Sequence, residues 1–245
     1  MSRERLIRDD AVVLRTYRLG EADRIVVLMT RDHGKVRGVA KGVRKTRSKF
    51  VSRLEPTTHI DVQLYEGRSE LWTITQAETI DRFVKLRSDL ELLTRGVALL
   101  EVIDQIALDR EPNSELHRLL VGALGALNDV GAPLVVAGFN WKVLVSEGFA
   151  PMLDECVACG STRSLVAFDI DDGGMRCADC RRGTPVSAEA LEVTRQMLGG
   201  ELNKALSLPR SGVTDEVDAL ATAAVEHHLE RRLRSVGVIN ATSQR

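Results

Sequence analysis

Apolar and polar positions change period about a third of the way along the chain, and that change divides the sequence into two kinds of structure. Up to about residue 80 the apolar residues come in short runs rich in Val, Ile, Leu and Thr. Ala11–Arg18, Arg24–Thr30 and Lys35–Ala40 are such runs, separated by the turn-like segments Leu19-Gly20-Glu21-Ala22-Asp23 and Arg31-Asp32-His33-Gly34. Thr58–Tyr65 and Glu70–Thr79 follow, flanking the hairpin-sized turn Glu66-Gly67-Arg68. Ile60, Val62 and Leu64 alternate with Asp61, Gln63 and Tyr65, the period-two signature of a half-buried strand. Five antiparallel strands of this length predict a small closed barrel. An OB-fold fits, and an SH3-like barrel satisfies the same pattern.

From about Asp81 the period becomes helical. Leu86, Leu90, Leu93, Val97, Leu100 and Ile103 recur at helical spacing before Pro112. Asn113 or Ser114 caps a second predicted helix through Leu127. Pro133 suits the first turn of a third, which Gly148 ends. Ser187 caps a helix to about Leu198, and Thr214 caps a last one running through Leu233 to Gly237. Gly122 and Gly125 inside the second helix are expected to mark close packing. The expected class is α+β: an OB-fold barrel over residues 1–80, then a helical domain over 81–150 and 187–245 that carries an insert over 151–186.

That insert holds every cysteine of the chain. Cys156 and Cys159 form one C-x2-C pair, Cys177 and Cys180 a second, with seventeen residues between. Two intervening residues let one tight turn aim both sulfurs at the same ion, and seventeen suffice for a hairpin that returns the second pair. This pattern predicts one structural Zn²⁺. Four thiolates leave no coordination position for water or substrate, so the ion is not expected to be catalytic. A deaminase reading fails too, because the only His-x-Glu, His228–Glu230, lies downstream of the cysteines. Asp169 to Gly173 lacks the spacing and closing Glu of a calcium loop. The module's arginines are outnumbered by its acids, which favours an architectural role over contact with an anion.

Charge refines the picture of the first half. The net charge is −1, but residues 1–80 carry sixteen Lys/Arg against eleven Asp/Glu, and the remainder eighteen against twenty-four. Between Arg31 and Arg53 lie nine basic residues and a single acid, Asp32. Lys35, Arg37, Lys41, Arg44, Lys45, Arg47 and Lys49 are the expected DNA-binding residues, with the stretch from Ala40 onward read as a loop. Neutralising phosphates with release of counterions is the simplest use for such a density of charge. Among the aromatics Tyr17, Phe50, Tyr65 and Trp72, Phe50 lies beside the loop and is the best candidate to stack on a base.

Other chemistry is not apparent. His33, His59, His117, His227 and His228 are scattered, with no Ser or Cys partner in sequence context, and no G-x-x-x-x-G-K-[ST] occurs. No catalytic residue is assigned and the chain is read as a non-enzyme. The charged start lacks the apolar stretch of a signal peptide, and no run is long enough to cross a bilayer, so a cytoplasmic, membrane-free protein is expected.

Several stretches, taken in order, resemble the RecO family of bacterial recombination mediators. They are Val12-Val13-Leu14-Arg15, Gly20-Glu21-Ala22-Asp23-Arg24, Thr30 with Gly34 through Gly42, and Leu64-Tyr65-Glu66-Gly67-Arg68. Gly148-Phe149-Ala150-Pro151, Cys156-Val157-Ala158-Cys159-Gly160 and Gly173-Gly174-Met175-Arg176-Cys177 continue the series. The resemblance implies an N-terminal OB-fold, a helical domain with an inserted zinc module, binding of single- and double-stranded DNA, and annealing of complementary strands. It also implies partnership with RecR, contact in some members with the tail of the single-stranded-DNA-binding protein, loading of RecA, and a nucleoid-associated place in the bacterial cytoplasm. The alternative from the residues alone is a zinc-ribbon adaptor whose basic loop meets acidic protein or RNA.

Overall fold

A computed structural model describes residues 5–43, 51–67 and 70–235. Five strands form a closed barrel: β1 (Arg5–Leu19), β2 (Asp23–Thr30), β3 (Gly34–Ala40), β4 (His59–Glu66) and β5 (Trp72–Asp81). Their order around the barrel is β1-β2-β3-β5-β4, closed by pairing of β1 with β4. This is the Greek-key order of an OB-fold. Four of the pairings are antiparallel, as expected, but β3 and β5 run parallel. The correction has a geometric cause: an odd number of strands cannot close into a ring with every neighbour antiparallel. At this junction Gly38 faces Trp72, and a side-chain carbon on Gly38 would sit 2.7 Å from Ile74 Cγ1. Glycine there leaves room for the buried Ile74 side chain.

Inward residues of alternate positions fill the barrel, among them Val13, Val26, Leu28, Val36, Ile60, Val62 and Leu64. The outer faces of β1 and β2 are apolar as well, since Val12, Val27 and Met29 are also fully buried. Such strands need cover on both sides. Helices α2 (Leu90–Ile106) and α3 (Ser114–Asp129) pack on β1, and α3 also packs on β2, with α1 (Val84–Ser88) against both helices. The chain divides into two compact units after Asp129, with Ser235 joining the first. Asp89 and Asn113 cap α2 and α3, their side chains accepting from Leu92 and Leu116 N–H at 2.9 and 3.0 Å. Gly122 and Gly125 do not mark close packing: a side-chain carbon at either would meet open space.

The second unit, Val130–Arg234, contains α4 (Val135–Ser146), the three short strands β6 (Leu165–Asp169), β7 (Gly174–Cys177) and β8 (Thr184–Pro185), and α5 (Ala188–Leu198), α6 (Leu202–Leu206) and α7 (Gly212–His228). Helix α4 is buried along most of its length and packs on α5 and α7. Ser187 caps α5 as expected. The N-cap of α7 is Ser211; Thr214, expected there, is the third helical residue and completes a reciprocal capping box with it. α7 ends at His228, short of the expected Gly237. The short α6 lacks enough periodic positions to announce itself in the sequence. Among the described residues no helix is long and apolar enough to cross a membrane.

Candidate nucleic-acid interface and four-cysteine module

One end of the barrel gathers the start of the basic loop and the β1–β2 turn. Arg18 pairs with Arg24 across β1 and β2, and Arg24 with Ala40 across β2 and β3, so these positions share one end of the barrel. Asp23 Oδ1 accepts the Gly42 N–H at 2.7 Å, tying the turn to the loop just after exposed Lys41. Val43 and Leu54, on either side of the undescribed basic residues in the sequence, belong to the barrel core. Arg44, Lys45, Arg47, Lys49 and Phe50 lie outside the described residues. Arg24 is held by Glu55 at 2.8 Å, which leaves Arg18 and Lys41 as exposed cations of this end.

Lys35 and Arg37 occupy a different place. Lys35 begins the opposite end of β3, about 20 Å from Lys41 at ~3.3 Å per residue. Its ammonium donates to the Asp104 carbonyl at 2.7 Å and lies 3.5 Å from Asp109 Oδ1, with the side chain mostly buried. Arg37 reaches Asp109 Oδ2 at 3.3 Å, and Arg15 reaches Asp104 Oδ2 at 2.9 Å. These cations clamp the C-terminal end of α2 to the barrel. Burial pushes the Asp104 carboxyl above its ordinary range even with Arg15, Lys35 and Arg37 nearby. Of the expected DNA-binding residues that are described, Lys35 and Arg37 therefore lie apart from Lys41.

Phe50 lies outside the described residues, and the other three aromatics of this half are placed differently from one another. Trp72 is buried in the barrel core and touched edge-on by His33, and Tyr65 is half-buried. Tyr17 is exposed near the end of β1, its ring 5.2 Å from the Arg15 guanidinium carbon. Strand alternation counted from inward Val13 would turn Tyr17 inward; the β-bulge between Val13 and Arg15 reverses it and places Tyr17 on the outer face of β1.

In the second unit the four cysteines converge. Cys156–Cys159 form a tight turn in which the Gly160 N–H donates to the Cys156 carbonyl at 2.8 Å, with Gly160 in the left-handed region. Cys177 ends β7, and the Cys180 N–H donates back to its carbonyl at 3.2 Å. Backbone bonds between Val157 and Met175 and between Met152 and both Gly173 and Met175 bring the two pairs together. Gly174 is tightly enclosed, since a side-chain carbon there would lie 2.8 Å from the Met152 carbonyl oxygen. All four sulfurs lie within 4.8 Å of one another, and those of Cys159 and Cys177 are 3.7 Å apart. That separation is too long for a disulfide. It matches the edge of about 3.8 Å in a tetrahedron whose metal–sulfur bonds are ~2.3 Å.

The thiols also show what a cation would have to do. A backbone hydrogen bond at Cys177 leads in drawing Cys156 down to about 6, whereas hydrogen bonding with the Cys159 and Cys177 sulfurs pushes Cys180 up to about 12. Four sulfurs this close cannot all ionise without a positive charge among them. The donor set and its spacing fit zinc. Two of the module's four arginines are engaged within it: Arg176 with Asp169 and Asp172, and Arg182 with Asp169 and Asp171. Burial opposes the Asp169 charge, but Arg182 and Arg176 outweigh it and hold the carboxyl below its usual range. Phe168 of β6 meets Trp141 of α4 edge-on at 5.9 Å, both fully buried, which seats the module on the helices of its unit.

A Greek-key barrel of OB-fold order, extended by helices and followed by a four-cysteine module, defines an OB-fold protein with a helical, cysteine-bearing second unit. The particular family follows from two matches, to recombination protein O N terminal over residues 1–83 and to recombination protein O C terminal over residues 87–236. The chain belongs to the recombination protein O (RecO) family. Its role is that of a recombination and repair mediator.

Proposed function

We propose that the protein binds single- and double-stranded DNA through the loop end of its barrel and anneals complementary strands, acting with RecR to help load RecA onto single-stranded DNA. The observation that carries this reading is the place where the basic sequence begins. Exposed Lys41 follows β3 beside the β1–β2 turn, and the sequence after it, between core residues Val43 and Leu54, carries Arg44, Lys45, Arg47 and Lys49. Cations presented on such a loop gather two phosphate backbones, lower their mutual repulsion and raise their local concentration, while base pairing supplies specificity. No covalent step is needed, so the role is non-enzymatic. Cys156, Cys159, Cys177 and Cys180 hold one structural Zn²⁺, which supplies the positive charge that lets all four sulfurs ionise and closes the turn-and-strand module. The tail of the single-stranded-DNA-binding protein is a further partner in this reading.

Removing Arg44, Lys45 and Arg47 together tests it. Each phosphate contact on a single strand contributes about −0.7 to the slope of log affinity against log salt, so the triple variant flattens that slope by roughly 2 and slows annealing. Zinc content and far-ultraviolet circular dichroism stay unchanged. An unaltered slope and annealing rate would show that the loop is only a solvated face. Absence of DNA binding by the parent protein at physiological salt would instead favour the adaptor reading.

A further inference from the structure

Asp10, His59 and His117 are separated by about fifty residues at each step of the sequence, yet the fold brings them to one point on the outer face of the barrel. In the β1–β4 ladder Val12 pairs with His59 and Asp10 lies two residues away, so His59 and Asp10 are diagonal neighbours on the same face. His117 arrives from the first turn of α3, which packs on that face. The ligand atoms of the three residues all lie within 4.8 Å of one another. His59 Nε2 contacts Asp10 Oδ1, and His117 Nε2 lies 3.2 Å from the same oxygen. The two imidazole rings are 6.0 Å apart.

As a hydrogen-bonded cluster this arrangement is incomplete. His117 is 4 % exposed, and its Nε2 is enclosed without a hydrogen bond, its approach to Asp10 lacking the required angle. A buried ring nitrogen left in that state carries a cost of about 1–3 kcal/mol. Burial also favours the neutral imidazole at His117, the form that ligates metals. Asp9 reinforces the geometry from behind: its carboxylate accepts the Asp10 N–H at 2.8 Å, the Asp32 N–H at 3.2 Å and approaches His33 Nδ1 at 2.7 Å. That carboxylate is committed to the β2–β3 turn, while Asp10 is left to face the two histidines.

We propose that Asp10, His59 and His117 form a second metal site, binding one divalent transition ion of the zinc class through two imidazole nitrogens and one carboxylate. Two nitrogens and one oxygen suit Zn²⁺ and its neighbours in the first transition row; Mg²⁺ and Ca²⁺ take oxygen sets. The site differs in kind from the four-cysteine module. Three protein ligands leave coordination positions free, and the three side chains border a cleft of about 640 Å³ whose other walls include Arg31, Ser114 and Arg118. Gly122 is another wall residue, with open space where a side chain would start. Glu115 also lines the cleft, and Arg31 and Arg118 are paired with Asp32 and Glu115, so the free positions are supplied by water.

Cobalt(II) is the probe, added to the full-length protein as purified, with the cysteine module already loaded. The wild type takes up one further ion per chain. Its visible ligand-field bands appear without the near-ultraviolet thiolate-to-cobalt charge transfer, because no sulfur is a ligand. His117→Gln and His59→Gln each lower the affinity by more than about 100-fold, beyond the ~10–100-fold typical of losing a second-shell partner. Cys159→Ser leaves the sulfur-free signal in place. Zinc in the cysteine module and circular dichroism report whether each histidine variant is folded, and the wild-type titration stands whether or not they are. No uptake by the wild type beyond the cysteine module, uptake showing thiolate charge transfer only, or equal affinity in folded histidine variants would overturn the proposal.

Discussion

Phe168→Ala is expected to destabilise the second unit heavily without touching a proposed metal ligand. Phe168 lies on β6, the middle strand of the small sheet, flanked by β7 on one side and β8 on the other. It is 2 % exposed and meets Trp141 of α4 edge-on. Truncating a buried Phe costs about 3–5 kcal/mol, to which the aromatic pair contributes about 0.5–1.5 kcal/mol. At ~4 °C per kcal/mol for a unit of this size, the unfolding midpoint falls by roughly 12–20 °C. Trp141 is itself the reporter, because its buried indole shifts to longer emission wavelength when exposed. The only other tryptophan, Trp72, belongs to the barrel and is replaced by Phe in both proteins so that one signal remains. Zinc content is measured alongside. If the module steadies the helices through this contact, a chelator lowers the midpoint of the parent more than that of the variant, an interaction read from the four midpoints. A midpoint within about 2 °C of the parent, or equal chelator effects in both, would refute the reasoning.

Purified protein should carry about one zinc in the cysteine module, and Cys159→Ser should lose it and lower the midpoint of the second unit while leaving the salt slope of DNA binding alone; metal analysis and oligonucleotide titration check both parts. Asp104→Asn should make the first unit more stable near neutral pH. Folding raises the Asp104 pKa, so the wild type loses stability as pH rises through that value; the variant's advantage should shrink toward acid, as denaturant titrations at several pH values would show. Tyr17→Ala should weaken binding of short single strands by about 1–3 kcal/mol if its exposed ring stacks on a base, and leave duplex binding nearly unchanged in fluorescence anisotropy.

Local pattern was enough to read much of this protein. Ile60, Val62 and Leu64 turned inward as their alternation required, Ser187 capped its helix, and each C-x2-C pair closed in one tight turn. These features depend on residues a few positions apart, where backbone geometry alone dictates the outcome. What the tertiary structure decided depends on closure and on distant contacts. The parallel meeting of β3 and β5 follows from closing five strands into a ring, a property of the whole barrel and of no single strand. Lys35 looks like its basic neighbours in the sequence, but its ammonium is drawn to Asp104 and Asp109, about seventy residues away, because α2 covers the outer face of β1. His59 and His117 carry no period or spacing that links them. They meet at Asp10 only because α3 is laid across the barrel, and that placement comes from burying the apolar outer faces of two strands.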